Sequence, residues 1–156
     1  MKTIYLAGPI DGVTPEWATE WRKQATTALK DRYHILDPTE GKDLHAAGCN
    51  DSLYTPEYIV ETDLAMIRQA DVLLVDWREL DTREACKIYD RAYMNNGSPV
   101  NFVPPRVGTS QELVYAKQWG KQVIAFGTLR RGYWLQYHSD KNFDTLELAI
   151  KYLRGE

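Results

Sequence analysis

Two carboxylates and a phenol stand out by residue type and spacing. Asp63 shares i, i+3/i+4 spacing with Ile59, Val60 and Ile67, which on a helix sets a carboxylate into an apolar stripe. An unpaired buried charge is costly, so Asp63 must be paired, hydrogen-bonded or turned to a polar pocket. A structural acid bonded to a nearby loop and a functional acid both meet that condition. Glu112 lies in Gly108-Thr109-Ser110-Gln111-Glu112-Leu113 and also has two readings. With Thr109 it spells an S/T-x-x-E capping box. Alternatively it is a carboxylate kept ionised by the dipole at a helix N-terminus. Aimed into a cleft, such a group can attack a sugar carbon. Tyr5, in an apolar segment, would ordinarily be core, yet its buried hydroxyl needs an acceptor. A carboxylate across the sheet end would accept that bond and have its rotamer fixed by it.

Other signals are weaker. Gly8-Pro9-Ile10-Asp11-Gly12 is a glycine-bearing turn that matches neither GxGxxG nor a Walker A loop. Glycine there permits close backbone approach to a ligand, although most such glycines only make turns. His45 and Cys49 stand four apart and could share a helix face, but two ligands do not make a zinc site. No metal and no cofactor are expected. Cys49 and Cys86 form no CxxC pattern and read as reduced thiols.

The elements that must position these groups follow from local signals. Lys2–Leu6 reads as a buried strand stopped by Ala7-Gly8-Pro9. Thr14-Pro15-Glu16 opens a helix, with Trp17, Trp21, Ala25, Ala28 and Leu29 at helical spacing to about Lys30. Tyr33–Leu36 is a strand ended by Asp37-Pro38, and Thr39–Tyr54 a polar loop. Thr55-Pro56-Glu57 starts a helix running to Gln69, and Val72–Val75 is a strand buried on both faces. In Arg78–Val107, Asp81-Thr82 would cap a helix through Met94. Gly108-Thr109-Ser110 begins a helix that ends at Gly120, Val123–Phe126 is a strand, and Asp144-Thr145-Leu146-Glu147 caps a last helix to Leu153.

Strands alternating with helices imply a parallel sheet covered on both faces. Ligands collect outside the carboxyl ends of such strands. Those ends are Ala7-Gly8-Pro9, Asp37-Pro38 and Asp76-Trp77, joined by the helix start at Gly108-Thr109-Ser110.

Size and composition bound the rest. The chain has 156 residues, consistent with one domain spanning 1–156. Apolar residues make up 44% and charged residues 26%, a globular balance. No uncharged apolar run nears the ~18 residues that span a bilayer. The N-terminus lacks the ~7–15-residue apolar core of a secretory signal, so a cytoplasmic location is expected. A net charge of −3 without a basic block disfavours DNA or RNA as a partner. Five Trp and ten Tyr fit either a core and oligomer interface of large rings or the wall of a pocket for a flat ligand.

Taken together, three motifs resemble the nucleoside 2-deoxyribosyltransferase family. They are Tyr5-Leu6-Ala7-Gly8-Pro9-Ile10, then Glu61-Thr62-Asp63-Leu64 leading into Ile67–Val75, then Gly108-Thr109-Ser110-Gln111-Glu112-Leu113-Val114-Tyr115-Ala116 followed by Gly120–Ile124. Their order and spacing agree over nearly the whole chain, with 78–107 a divergent insertion. The resemblance implies a flavodoxin-like three-layer α/β sandwich with a five-stranded, mostly parallel sheet. It implies a nucleoside or nucleotide and a free nucleobase as small-molecule partners.

By that resemblance Glu112 is the nucleophile that attacks C1′ of a 2′-deoxynucleoside. Asp63 is the acid lining the sugar and base site, and Tyr5 positions the nucleophile. Gly8, Pro9, Asp37, Gly108 and Ser110 line the substrate. Arg106, six residues before Glu112, is either a solvated loop charge or a bidentate partner for a 5′-phosphate, as in the related deoxynucleoside 5′-monophosphate N-glycosidases. The resemblance also implies a homo-oligomer whose sites are completed by a neighbouring subunit, with Gly132–His138 an aromatic candidate for that contact. A nucleotide-sensing module on the same fold, or a structural subunit of an assembly, remains open.

Overall fold

The computed structural model describes residues 1–10, 13–42, 44, 55–79, 106–127 and 132–156. The expected helix from Asp81 to Met94, most of the polar loop, and His45, Cys49 and Cys86 lie outside the described residues.

The strands are β1 (Lys2–Ala7), β2 (Tyr33–Leu36), β3 (Val72–Asp76), β4 (Gln122–Phe126) and β5 (Lys141–Phe143). The helices are α1 (Pro15–Leu29), α2 (Pro56–Gln69), α3 (Val107–Gln118), α4 (Tyr133–His138) and α5 (Leu146–Arg154). The sheet order is β2-β1-β3-β4-β5, and every pairing is parallel. This is the flavodoxin-like order, whose switch point lies between β1 and β3, the place where sheets of this kind bind ligands.

The two faces divide by the period-2 alternation of a strand. Ile4, Leu6, Val72, Leu74, Ile124 and Phe126 pack on one side with the apolar faces of α1 and α5. Tyr5, Ala7, Leu73, Val75, Val123 and Ala125 pack on the other with α2, α3 and α4. Tyr5 therefore belongs to the face that α2 and α3 cover, and these helices carry Asp63 and Glu112.

Helix starts follow the expected cap chemistry at α1 and α2. Thr14 Oγ1 accepts from Trp17 N–H and Thr55 Oγ1 from Tyr58 N–H, each followed by proline at the first helical position. Three expectations need correction. At α5 the N-cap is Thr145, bonded to Leu148 N–H, rather than Asp144. The N-cap of α3 is Arg106, in the left-handed region at φ 84° with no side-chain cap bond. Thr109 consequently lies inside the helix, and the Thr109–Glu112 capping box does not form. Finally, the apolar stripe of α2 is buried only at Ile67, while Ile59 and Val60 are exposed. Their surroundings include the loop preceding α2, most of which is outside the described residues.

A candidate active site at the end of the parallel strands

Glu112 sits in the second turn of α3, and its side chain turns toward the sheet. Tyr5 Oη donates to Glu112 Oε1 at 2.5 Å across 107 positions of sequence. A phenol bonded to a carboxylate at that distance is a charge-assisted contact. Glu112 Oε2 is buried without a hydrogen-bond partner. The carboxylate thus has one oxygen anchored and one left without a hydrogen-bond partner.

Electrostatics around the pair are finely balanced. Burial raises the Glu112 pKa to about 7, with Asp63 adding to the rise, while the Tyr5 bond, Arg22 and Lys42 oppose it. Burial also pushes Tyr5 well above the ordinary phenol value, helped by the negative charges of Glu112 and Asp63. Tyr5 therefore stays a protonated donor across the neutral range. Asp63, on α2, lies 3.7 Å from Lys42 Nζ, with both side chains largely buried. The structure bonds Tyr5 to Glu112 and sets Asp63 near enough for its charge to act on both.

The remaining expected residues are more varied in placement. Pro9 and Gly8 are buried at the exit of β1. A Cβ on Gly8 would stand 3.0 Å from both Asp76 Cβ and a Trp21 ring carbon, so glycine here is explained by packing within the protein. Asp37 Oδ1 accepts from the backbone N–H of Thr39 at 2.8 Å and from its hydroxyl at 2.7 Å, and faces Arg22 at 3.6 Å. Gly108 and Ser110 are exposed in the first turn of α3. The Arg106 guanidinium stacks over the Trp77 ring, 5.2 Å from its centroid. That contact sets it beside the C-terminal end of β3 and the first turn of α3.

Sequence reasoning missed Arg22 and Lys42 at this end of the sheet and placed Asp76 there only as a strand end. Arg22 is fully buried and donates to the carbonyls of Leu6, Gly8 and Ala18. Its signal was available: with Ala18, Trp21, Ala25 and Leu29 it occupies the buried stripe of α1, the same anomaly that singled out Asp63. Lys42 offered no such pattern, because turn residues have no periodicity. Asp76, fully buried, accepts from the backbone N–H and guanidinium of Arg78, which lies over the Trp17 ring. An open groove of about 370 Å³ lined by Trp17, Arg78, Phe126, Gly127 and Thr145 does not include Tyr5, Asp63 or Glu112. Among the described residues no cluster of His, Cys, Asp and Glu is set to hold a metal, and no helix is long and apolar enough to cross a membrane.

Neither a protein-family model nor a curated protein sequence matches the chain. Solved structures do. A 2-deoxyribosyltransferase from Bacillus psychrosaccharolyticus aligns at TM-score 0.63 and 19% identity, over 96% of this chain and 91% of the other. A 2-deoxyribosyltransferase from Leishmania mexicana aligns at 0.60 and 22%, over 100% and 99%. A CMP N-glycosidase from Clostridium botulinum aligns at 0.57 and 13%, over 99% and 100%. The chain shares their fold from end to end.

Proposed function

We propose that this chain cleaves the N-glycosidic bond of 2′-deoxynucleosides through a covalent deoxyribosyl–Glu112 intermediate and passes the sugar to a second nucleobase. The observation that carries this reading is the Tyr5–Glu112 pair: one carboxylate oxygen anchored at 2.5 Å, the other buried with no hydrogen-bond partner. Both deoxyribosyltransferases above act through the same overall fold, which adds support.

The chemistry follows from the charges. Loss of the base leaves an oxocarbenium-like sugar, and an anion beneath C1′ stabilises the developing positive charge. A bond then forms between Glu112 Oε2 and C1′ as the C1′–N bond breaks, its electron pair going to the base nitrogen. The departing base takes a proton at the same time. In its protonated form Asp63 gives up that proton and is left as a carboxylate that Lys42, 3.7 Å away, pairs; an incoming base N–H restores the proton to Asp63 in the second step. Attack of a second base on the ester returns Glu112 to its starting state, as in retaining glycosidases; attack of water would give hydrolysis. A homo-oligomer, with exposed aromatics of α4 at the contact, completes the reading.

A second reading, hydrolysis of deoxynucleoside 5′-monophosphates, is favoured by the first turn of α3. Its amides lack a side-chain cap, and Arg106 stands beside them. Helix N-termini of that kind accommodate phosphate. The neighbour described as a CMP N-glycosidase points in the same direction.

Mass spectrometry of the protein mixed with a 2′-fluorinated 2′-deoxynucleoside tests the covalent step. The expected result is a sugar adduct on Glu112, absent in Glu112→Ala. An exchanged nucleoside in the presence of a different free base supports transfer, whereas free base from the monophosphate alone supports the second reading. Tight nucleotide binding that survives Glu112→Ala, with no adduct and no turnover, would overturn both in favour of a sensor.

A further inference from the structure

The buried guanidinium of Arg22 has no role in the chemistry derived so far. It occupies the apolar stripe of α1, where a Met or Leu would fill the space without the cost of burying a charge. Its donors are spent on the backbone where β1 leaves the sheet. Nε donates to Leu6 O at 3.3 Å, Nη2 to Gly8 O at 2.9 Å, and Nη1 to Ala18 O of its own helix. Nε also lies 3.6 Å from Asp37 Oδ1, at the end of β2. One side chain therefore ties the exits of β1 and β2 to α1, and the bonded carbonyls bracket Ala7, two residues beyond Tyr5. A Lys has a single ammonium and cannot fork across these acceptors in the same plane.

We propose that Arg22 is a positioning residue for the Glu112 carboxylate: it locks the strand end that carries Tyr5 and supplies the buried positive charge that counterbalances the acids gathered there. The proposal rests on Glu112 being the reacting group. The charges bearing on Glu112 come from every element around it: Tyr5 on β1, Asp63 on α2, Lys42 in the turn after β2, and Arg22 on α1. Of these, Asp63 favours the neutral carboxyl, and Arg22 and Lys42 favour the ionised one that attack requires. Burial lowers the Arg22 pKa, and Asp37, Tyr5, Glu112 and Asp76 oppose that fall. Lys42 lies nearest Asp63, which leaves Arg22 as the cation not committed to the second acid.

Carbon-13 NMR titration of the full chain, carrying labelled glutamate and with Glu112→Gln to identify the signal, reads this directly. In Arg22→Met the Glu112 midpoint should rise by about half a unit to one unit, and in Arg22→Lys it should stay nearer the wild-type value. A folded Arg22→Met protein in which Glu112 titrates as in wild type overturns the proposal, because a purely structural arginine would move stability and not the midpoint. Should Arg22→Met not fold, Asp37→Asn serves instead. It keeps the carbonyl bonds and unmasks the cation, so the midpoint should fall, and an unmoved midpoint again overturns the idea. The titration needs no turnover. Failure to form the sugar adduct would therefore sink the reading of Glu112 separately from the reading of Arg22.

Discussion

Tyr5 and Glu112 make separable contributions, and substitution should separate them. Removing the carboxylate in Glu112→Ala removes the only atom proposed to bond C1′, so turnover should fall on the order of 10³-fold or more. Tyr5→Phe deletes one charge-assisted bond and leaves the carboxylate in place. A loss of about 10- to 100-fold is expected, with adduct still formed. Single-turnover kinetics checks both, and equal total loss in two folded variants would contradict the roles assigned. The same carboxyl has a signature in stability. Its pKa in the folded protein stands at about 7 against an ordinary 4.5. The native state thus holds this proton more tightly than the unfolded chain, and the stability this provides is complete below pH 4.5 and lost as pH rises through 7. Glu112→Gln, always neutral, should match wild type near pH 4.5 and exceed it at pH 8 by as much as about 3 kcal/mol. Thermal melts at the two pH values decide this, and a wild type as stable as the variant at pH 8 would refute it. Tyr5 and Glu112 drew notice as polar groups in apolar or motif-bearing patterns, and the structure pairs them; Asp63 drew notice from an apolar stripe that is buried only at Ile67. Arg22 was legible on the same logic and missed, since arginine on a helix is ordinarily taken to be solvated.

Elements with strong local chemistry were read within a residue or two, as at Thr14-Pro15 and Thr55-Pro56, where cap and proline agree. The failures are physical as well. Strand β5 has three residues, all at least partly exposed, so no alternation could announce it. Helix α4 has six residues and no side-chain cap. The start of α3 moved upstream because Arg106, at φ 84°, is its N-cap with no side-chain cap bond, a conformation no Thr or Ser motif encodes. One consequence concerns the junction of β3 and β4. Gly127 has φ +129°, and a Cβ there would lie 2.5 Å from Arg78 N and from the Trp77 carbonyl. Gly127→Ala must therefore both strain its backbone and push apart the ends of two central strands. Urea denaturation should show a loss of about 3 kcal/mol or more. Gly108→Ala is the control, with no atom within 4 Å of the added carbon and a position inside α3. There the expected change is a gain of up to about 1 kcal/mol. Equal effects at the two glycines would mean that the close approach at Gly127 is not a constraint on the sheet.

At the scale of the molecule, the unusual aromatic content divides between interior and surface. Trp21 packs edge-on against Phe126, 5.4 Å between centroids, and so belongs to the core beneath α1. Tyr133, Trp134 and Tyr137 are 86%, 78% and 69% exposed on the short helix α4. Such a cluster is more apolar surface than an isolated chain ordinarily presents on one helix turn. Its location gives the cluster a consequence for the site. Both α2 and α4 pack against α3, the helix that carries Glu112, and Lys117 of α3 lies over the Tyr137 ring at 5.4 Å. A second copy seated on α4 would thus press on the element that aims the carboxylate. Aromatic rings are also the residues that give a small contact most of its energy. Replacing Trp134 and Tyr137 together by Glu places charge at the centre of that contact while leaving buried Leu135 and His138 in place. Sedimentation velocity should then report the 18.0 kDa monomer, with wild type sedimenting as a larger species. Turnover should fall in step with dissociation and recover at high protein concentration. If both proteins sediment alike, the surface aromatics do not join subunits, and a site shared between copies has to be abandoned even if the adduct on Glu112 forms.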